Sequence, residues 1–184
     1  MIYNTEINIY SGASTYTSSN AVRPLFGINA ISRFGNYYIK SDTFIALLNK
    51  DPNGTTATVD SIYLGKNFYL NKYISFSPYF GYQHLWYGNL YNNAIGGGIK
   101  GQIDYNRFYA NIHITAMYGF SGTVGYDLKH PGNVYIFYSS LGYKINKQLS
   151  IYTYITQERY VNVGSYGSRS LTYRSTGLGL KYCF

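Results

Sequence analysis

The sequence predicts a closed antiparallel up-and-down β-barrel of ten strands. Three observations predict it: apolar and polar residues alternate with a period of two, turn residues recur at a regular spacing, and charged residues are scarce. The chain has 184 residues, of which 46% are hydrophobic, 20% aromatic and only 12% charged. Alternation over most of the chain indicates strands with two different faces rather than helices. The length suits one domain, which we take to be residues 1–184.

The alternation is clearest over residues 108–120. One set of alternate residues there, which includes Ile112 and Ile114, is apolar, whereas the other, which includes Asn111 and His113, is mostly polar or small. The same pattern along the chain predicts ten strands, at 4–14, 24–34, 37–48, 59–70, 73–87, 94–105, 108–120, 134–145, 148–160 and 171–184.

Two of these segments, 4–14 and 37–48, alternate less cleanly than the others. Eight strands therefore remain the alternative to ten. A bulge near Thr43 would explain the irregularity of the second segment. In the segment 73–87, Pro78 interrupts the apolar face, and the sequence gives no reason for it.

Four short turns, each containing an Asn, join the predicted strands. Asn36, Asn71, Asn106 and Asn146 lie 35, 35 and 40 residues apart. Asn tolerates the positive φ that two-residue turns require, so we expect that conformation at these turns. Five longer connections then lie at the other end of the barrel, at about 15–23, 49–58, 88–93, 121–133 and 161–170.

The shortage of charge indicates that the apolar face lies outside the barrel. A soluble barrel needs a charged outer face, but the chain has only 15 Lys and Arg and 7 Asp and Glu. The opposite face consists mainly of Gly, Ser, Asn, Tyr, Thr and Gln, which suits a small, crowded interior. Aromatic residues near the strand ends are typical of the interfaces of a membrane barrel. We therefore predict a transmembrane β-barrel.

The chain ends in an alternating apolar segment that comprises Leu178, Leu180, Tyr182 and Phe184. A terminal Phe after apolar residues at every second position resembles the C-terminal signature of bacterial outer-membrane β-barrels, and the size resembles the small monomeric members of that superfamily. The resemblance implies an outer-membrane location and recognition of this segment by the barrel-assembly machinery. It also implies contact with outer-membrane lipid and lipopolysaccharide, and a signal peptide that has been removed.

The predicted strand faces direct nine charged side chains into the lumen, five basic and four acidic. They are Glu6, Arg33, Lys40, Asp42, Lys100, Asp104, Lys144, Glu158 and Lys181. Those near the short turns form either an ion-pair network, which we favour, or a ring of charges that selects ions. Inward tyrosines beside inward glycines either fill the barrel with rings lying over glycine or leave a narrow water path.

Two functions fit this interior. The first is a narrow porin-like passive channel for small solutes or ions, with selectivity set by the charged lumen residues. The second is a plugged barrel that acts as a surface recognition or structural protein through its extracellular loops. The loop residues proposed for such contacts are Asp127, Lys129, His130, Tyr166 and Arg169.

An enzyme is a distant third. The ten-stranded outer-membrane proteases carry acidic pairs and a His–Asp pair at the outer rim. Here His130 lies near Asp127, and His84 approaches Asp60, but neither spacing matches the motif of that family. We therefore expect no enzymatic activity.

The sequence contains no metal cluster, phosphate loop or cofactor motif, so we expect no cofactor. The net charge is +8, but the basic residues are scattered singly, which argues against a nucleic-acid partner. The single cysteine, Cys183, excludes an intrachain disulfide.

Overall fold

A computed structural model describes residues 3–16, 19–47, 56–87, 90–122, 131–161 and 170–184. Almost all of these residues lie in ten antiparallel strands, numbered here in chain order. They are β1 (Tyr3–Tyr16), β2 (Ser19–Phe34), β3 (Tyr37–Leu47), β4 (Thr56–Lys66, continued at Phe68–Tyr69), β5 (Ile74–Tyr87), β6 (Leu90–Tyr105), β7 (Phe108–Gly122), β8 (Asn133–Lys144), β9 (Leu149–Val161) and β10 (Ser170–Cys183). Within the described ranges, no helix has the length and hydropathy needed to cross a membrane.

The sheet closes on itself. Each strand pairs with the next, and β1 pairs with β10 from Glu6 opposite Cys183 to Tyr16 opposite Tyr173. Closure leaves no unpaired strand edge, which is what a sheet in lipid requires. The ten-stranded antiparallel barrel is therefore confirmed, and the alternative of eight strands is excluded.

Strand boundaries differ from the prediction mainly at the end opposite the short turns, which we call the connection end. β2 begins at Ser19 and β6 at Leu90, so the strands extend into the connections predicted at 15–23 and 88–93. The predicted bulge near Thr43 is wrong, because β3 pairs without a register shift on both sides. Thr43 breaks the apolar pattern for another reason: its hydroxyl donates to Asp60 on the outer surface.

The predicted turn geometry holds at Asn106, which has a φ of 55°. In the turn after β2, however, the positive φ of 63° belongs to Gly35 rather than to Asn36. Glycine has no Cβ that would clash at a positive φ, so Gly35 rather than Asn36 adopts this conformation.

Asn71 and Asn146 have a different role from the one predicted. The Oδ1 atom of Asn71 accepts hydrogen bonds from the N–H groups of Tyr73 and Ile74, at 2.8 and 2.9 Å. Asn146 makes the same two contacts, both at 2.8 Å, with the second and third N–H groups after it. In these longer turns the asparagine side chain therefore satisfies backbone donors, and a positive φ is not needed.

Pro78 explains the short break in β4. The register is the same on both sides of the break at Asn67, and it places Pro78 opposite Lys66, the residue before the break, and Ser77 opposite Asn67. Because proline has no N–H, it cannot donate to the neighbouring strand there. Asn67 instead donates its N–H to the carbonyl of Asn36 and accepts a hydrogen bond from Ser77 Oγ, both at 2.6 Å.

The outer face of the barrel is apolar, as predicted from the shortage of charge. On β7, Ile112 and Ile114 are exposed, whereas Tyr109 and Thr115 on the alternate face are buried. Exposed Ile, Leu and Phe side chains occur on all ten strands. Near the turns, exposed tyrosines lie beside them. An apolar band with aromatic residues at its margin is typical of a barrel that crosses lipid.

Tyrosine rings that lie over glycines of the neighbouring strand fill much of the interior. The described strands contain six such directly opposed pairs: Tyr10–Gly27, Tyr38–Gly65, Tyr63–Gly81, Tyr79–Gly98, Tyr109–Gly142 and Tyr152–Gly179. A Cβ atom on these glycines would lie 2.1 to 2.7 Å from an atom of the paired tyrosine. The rings therefore need glycine beneath them. Of the two alternatives for the inward tyrosines, these residues follow the first, in which the rings lie over glycine and fill the barrel.

We predict that Gly142→Ala lowers the free energy of unfolding by about 1–3 kcal/mol, because the new methyl group displaces the Tyr109 ring. The matched control is Gly101→Ala, since a Cβ at Gly101 meets nothing within 4 Å. Urea unfolding in lipid vesicles measures both variants. Equal stability of the two variants would contradict a packing role for the tyrosine–glycine pairs.

Candidate functional site

The lumen near the short turns contains an ion cluster centred on Glu6, whose side chain is buried. Its carboxylate contacts Arg33 Nη2 at 2.9 Å and Lys181 Nζ at 3.7 Å, and it accepts a hydrogen bond from Asn8 Nδ2 at 3.1 Å. These residues come from β1, β2 and β10. The cluster therefore crosses the seam at which the first and last strands close the barrel.

A second ion pair lies deeper in the lumen on β3. Lys40 Nζ is 2.8 Å from Asp42 Oδ2, and the hydroxyl of Tyr10 donates to Asp42 Oδ1 at 2.8 Å. The ammonium group of Lys40 also lies 5.9 Å from the centre of the Tyr63 ring. Both carboxylate oxygens of Asp42 thus have a partner, one from Lys40 on the same strand and one from Tyr10 on β1.

Asp104 and Lys144 form a third ion pair close to the turns, on β6 and β8. About a third of each side chain is exposed, and neither residue lines the main cavity. The ion-pair network expected near the turns is therefore present as separate groups rather than as one continuous network.

Lys100 differs from the other basic residues that line the cavity. It lies on β6, opposite Ser77 of β5 and His113 of β7. Within the described residues, no carboxylate comes within 4 Å of its ammonium group, whereas Arg33, Lys40 and Lys181 each have one. Lys100 is therefore the basic residue of the cavity lining that has no ion-pair contact within the described residues.

Glu158 occupies the half of the lumen nearer the connection end. Its Oε2 atom accepts hydrogen bonds from the hydroxyl of Tyr160 at 2.8 Å and from Gln83 Nε2 at 3.4 Å. No basic group of the described residues contacts it. Seven of the nine charged residues predicted to face inward line the cavity, all except Asp104 and Lys144, and they do not form a single ring.

A group of buried apolar side chains lies at the connection end of the lumen, and we call it the apolar plug. Each of its members is at most 4% exposed. They are Leu25, Ala46, Ala57, Leu85, Ala94, Met117 and Val134. Each lies within six residues of the strand end at the connection side.

The sequence pattern did not predict the apolar plug, because a polar inward face was expected along the whole lumen. A signal for it exists in the pairs Leu85-Trp86, Met117-Tyr118 and Val134-Tyr135. In each pair two consecutive residues are apolar, so apolar residues occupy both faces of the strand. Such breaks in the alternation at strand ends indicate apolar packing on the inside as well as the outside.

A cavity with a water-accessible volume of about 140 Å³ lies between the turn-side cluster and the apolar plug. Four basic side chains (Arg33, Lys40, Lys100 and Lys181) and three acidic ones (Glu6, Asp42 and Glu158) line it. Leu25 bounds the cavity at its far end. At about 10–15 Å³ for each water centre, this volume holds roughly ten waters. The lumen is thus a small polar chamber with slightly more positive than negative charge.

The remaining predicted residues lie elsewhere. Leu178, Leu180 and Tyr182 are exposed on the outer face of β10, and the ring of Phe184 packs edge-on against Tyr182 at 4.9 Å. Cys183 is a free, half-buried thiol. The five loop candidates, Asp127, Lys129, His130, Tyr166 and Arg169, fall outside the described residues.

The closed sheet, the apolar outer face and the polar interior define a transmembrane β-barrel of the outer-membrane type. Among solved structures, the outer membrane protease OmpT from Escherichia coli aligns over 99% of this chain and 96% of its own, with a TM-score of 0.59 and 12% identity. No family model and no curated protein sequence matches the chain.

Two further solved structures also align over nearly the whole chain. The attachment invasion locus protein Ail of Yersinia pestis is 11% identical, covers 100% of both chains and has a TM-score of 0.46. The KdgM porin is 12% identical, with 96% of this chain and 99% of its own covered and a TM-score of 0.45. At these identities the likeness concerns the fold and leaves the role of this chain open.

We predict that Glu6→Gln lowers the free energy of unfolding by about 3 kcal/mol, because it leaves Arg33 and Lys181 in the lumen without their carboxylate. Asp104→Asn serves as the control. Its ion pair with Lys144 is about one-third exposed, so the loss should stay below about 1 kcal/mol. Urea titration of the refolded barrels in vesicles gives both values, and an equal loss would contradict a special role for the seam cluster.

Proposed function

We propose that this protein is a bacterial outer-membrane barrel with a closed lumen that acts at the cell surface through its extracellular connections. The observation that carries the proposal is the apolar plug. Its side chains are almost inaccessible to water, and Leu25 and Val134 are only 1% and 0% exposed. Ions need a hydrated path, and a dry apolar constriction prevents their passage.

The expected orientation places the plug beneath the cell surface. In outer-membrane barrels the short turns are periplasmic and the longer connections extracellular. Here the longest connections join β3 to β4, β7 to β8 and β9 to β10. The last two contain the proposed contact residues, and their Tyr, Ser and Gly content suits adaptable surface recognition. Lipopolysaccharide is the partner that we propose for their basic side chains.

A narrow passive channel is the second candidate, and the polar chamber favours it. The chamber has an excess of one basic side chain, and Lys100 has no ion-pair contact within the described residues. A channel of this kind would prefer anions and would conduct only when the apolar plug opens.

The absence of enzymatic activity stays a prediction.

We predict that the folded wild-type barrel is silent in a planar bilayer under a KCl gradient. The double variant Leu25→Ser, Val134→Ser should give discrete conductance steps, because hydroxyl groups allow water into the plug. Leu178→Ser makes the same type of change on the outer face and should stay silent. Folding is verified beforehand by heat-dependent gel mobility.

Conductance of the wild-type barrel would overturn the closed lumen and support the channel. In that case Lys100→Glu should shift the reversal potential towards cation selectivity, because it replaces a basic side chain of the chamber lining with an acidic one. Silence of the plug variant would show that the plug is not the barrier to ions.

We also predict that trypsin added to intact cells cleaves after Lys129 or Arg169, which lie in the proposed extracellular connections. Cleavage after Arg107 and Lys147, in the short turns, should require a permeabilised outer membrane. Mass spectrometry of the released peptides identifies the sites. Cleavage only at the turns would reverse the proposed orientation and with it the surface role.

A further inference from the structure

A row of polar side chains crosses the lipid-facing surface of the barrel near the connection end. Thr43, Asp60, His84 and Asn93 lie directly opposite one another on β3, β4, β5 and β6, and we call them the polar row. Their chain neighbours on the alternate face, such as Leu85, are buried in the lumen. The polar row therefore lies on the membrane side of the sheet.

Hydrogen bonds at the two ends of the polar row leave its middle open. Thr43 Oγ1 donates to Asp60 Oδ1 at 2.7 Å. His84 Nδ1 lies 2.7 Å from Asn93 Oδ1 and donates to it, so in the neutral ring Nε2 is an acceptor. In the described part of the chain, no donor reaches Asp60 Oδ2 or His84 Nε2. Two adjacent strands thus present two hydrogen-bond acceptors side by side.

The height of the polar row points to the headgroup region of the outer leaflet. Thr43 and Asp60 each lie four residues from the end of their strand at the connection side. A charged side chain on the lipid face is far less costly near the interface than at the midplane of the bilayer. At this height, lipid headgroups are the groups available to donate to the two acceptors.

The surroundings of the polar row fit a sugar on a lipid. The ring of Trp86 stands edge-on to His84 at 6.2 Å, and Tyr82 also donates to Asn93. Nearer the midplane, Ile62 and Ile95 are exposed on the same face. Flat aromatic rings beside a carboxylate and an imidazole suit the ring and neighbouring hydroxyls of a sugar, whereas an ammonium headgroup offers donors at a single centre.

We propose that the polar row binds the sugar headgroup of a glycolipid in the outer leaflet. Neighbouring sugar hydroxyls donate to Asp60 Oδ2 and His84 Nε2, the sugar ring lies beside Trp86, and the acyl chains run along Ile62 and Ile95. The site depends on the orientation of the barrel and not on whether its lumen is closed.

Trp86 is the only tryptophan of the chain, so its fluorescence reports on this site. The full-length barrel is placed in nanodiscs of phosphatidylcholine, whose headgroup has no hydrogen-bond donor, and monoglucosyl diacylglycerol is added at increasing mole fraction. The wild-type barrel should show a saturable change in emission. Asp60→Ala should weaken the apparent affinity at least tenfold, because it removes one acceptor.

Gln157→Ala is the matched control. Gln157 accepts a hydrogen bond from Arg174 at 2.9 Å, and this exposed pair lies on β9 and β10, away from the polar row. Its glycolipid binding should equal that of the wild type. If Asp60→Ala fails to fold, His84→Leu tests the second acceptor, with bound glycolipid counted by native mass spectrometry.

Three results would overturn the proposal: no saturable change in the wild type, equal affinity in the acceptor variants, or an equal loss in Gln157→Ala. Phosphatidylethanolamine in place of the glucolipid tests the chemistry of the headgroup. Binding as strong as that of the glucolipid would assign the polar row to ammonium groups and reject the sugar.

Discussion

The stacking of tyrosine rings over glycines of the neighbouring strand is the interaction on which the rest of this structure depends. Lipid offers no hydrogen bonds to the backbone, so the sheet must close. A barrel of ten strands encloses more space than aliphatic side chains alone would fill, and it must also accommodate polar groups. Opposed pairs such as Tyr109–Gly142 fill that space without straining the sheet. They also determine how much room is left, because the rings together with the ion pairs reduce the lumen to a chamber of about 140 Å³.

The charges of the lumen follow from this crowding. A carboxylate held among rings and away from bulk water needs a partner, and Glu6 and Asp42 both have basic partners from the same or neighbouring strands. Lys100 is the exception within the described residues, since it faces the chamber without a carboxylate in contact. Towards the connection end most of the buried side chains are apolar, although Glu158 also lies in this half of the lumen. The interior thus changes from mainly charged to mainly apolar along the barrel axis, and this gradient supports a closed lumen in the proposed function.

Much of the fold could be predicted from the sequence because a membrane barrel repeats one simple rule, the alternation of two faces. That rule predicted ten strands, which the structure confirms. It also predicted the inward direction of residues such as Lys40 and Glu158. It did not give the apolar plug or the role of Pro78, since both depend on which residues of different strands lie at the same height. His84 and Asp60 illustrate the same limit: their sequence separation says little, whereas the register places them side by side.

The seam between β1 and β10 has a consequence for assembly. Glu6 and Lys181 lie near opposite ends of the chain, and they meet only when the first and last strands pair. Until β10 has paired with β1, each of the two strands has an open edge that can pair with another exposed strand. The contacts at the seam have the largest sequence separation in the molecule, so closing them carries a large loop-closure entropy and belongs to the slow part of folding. Removal of the last strand would therefore leave both edges of this sheet without a partner.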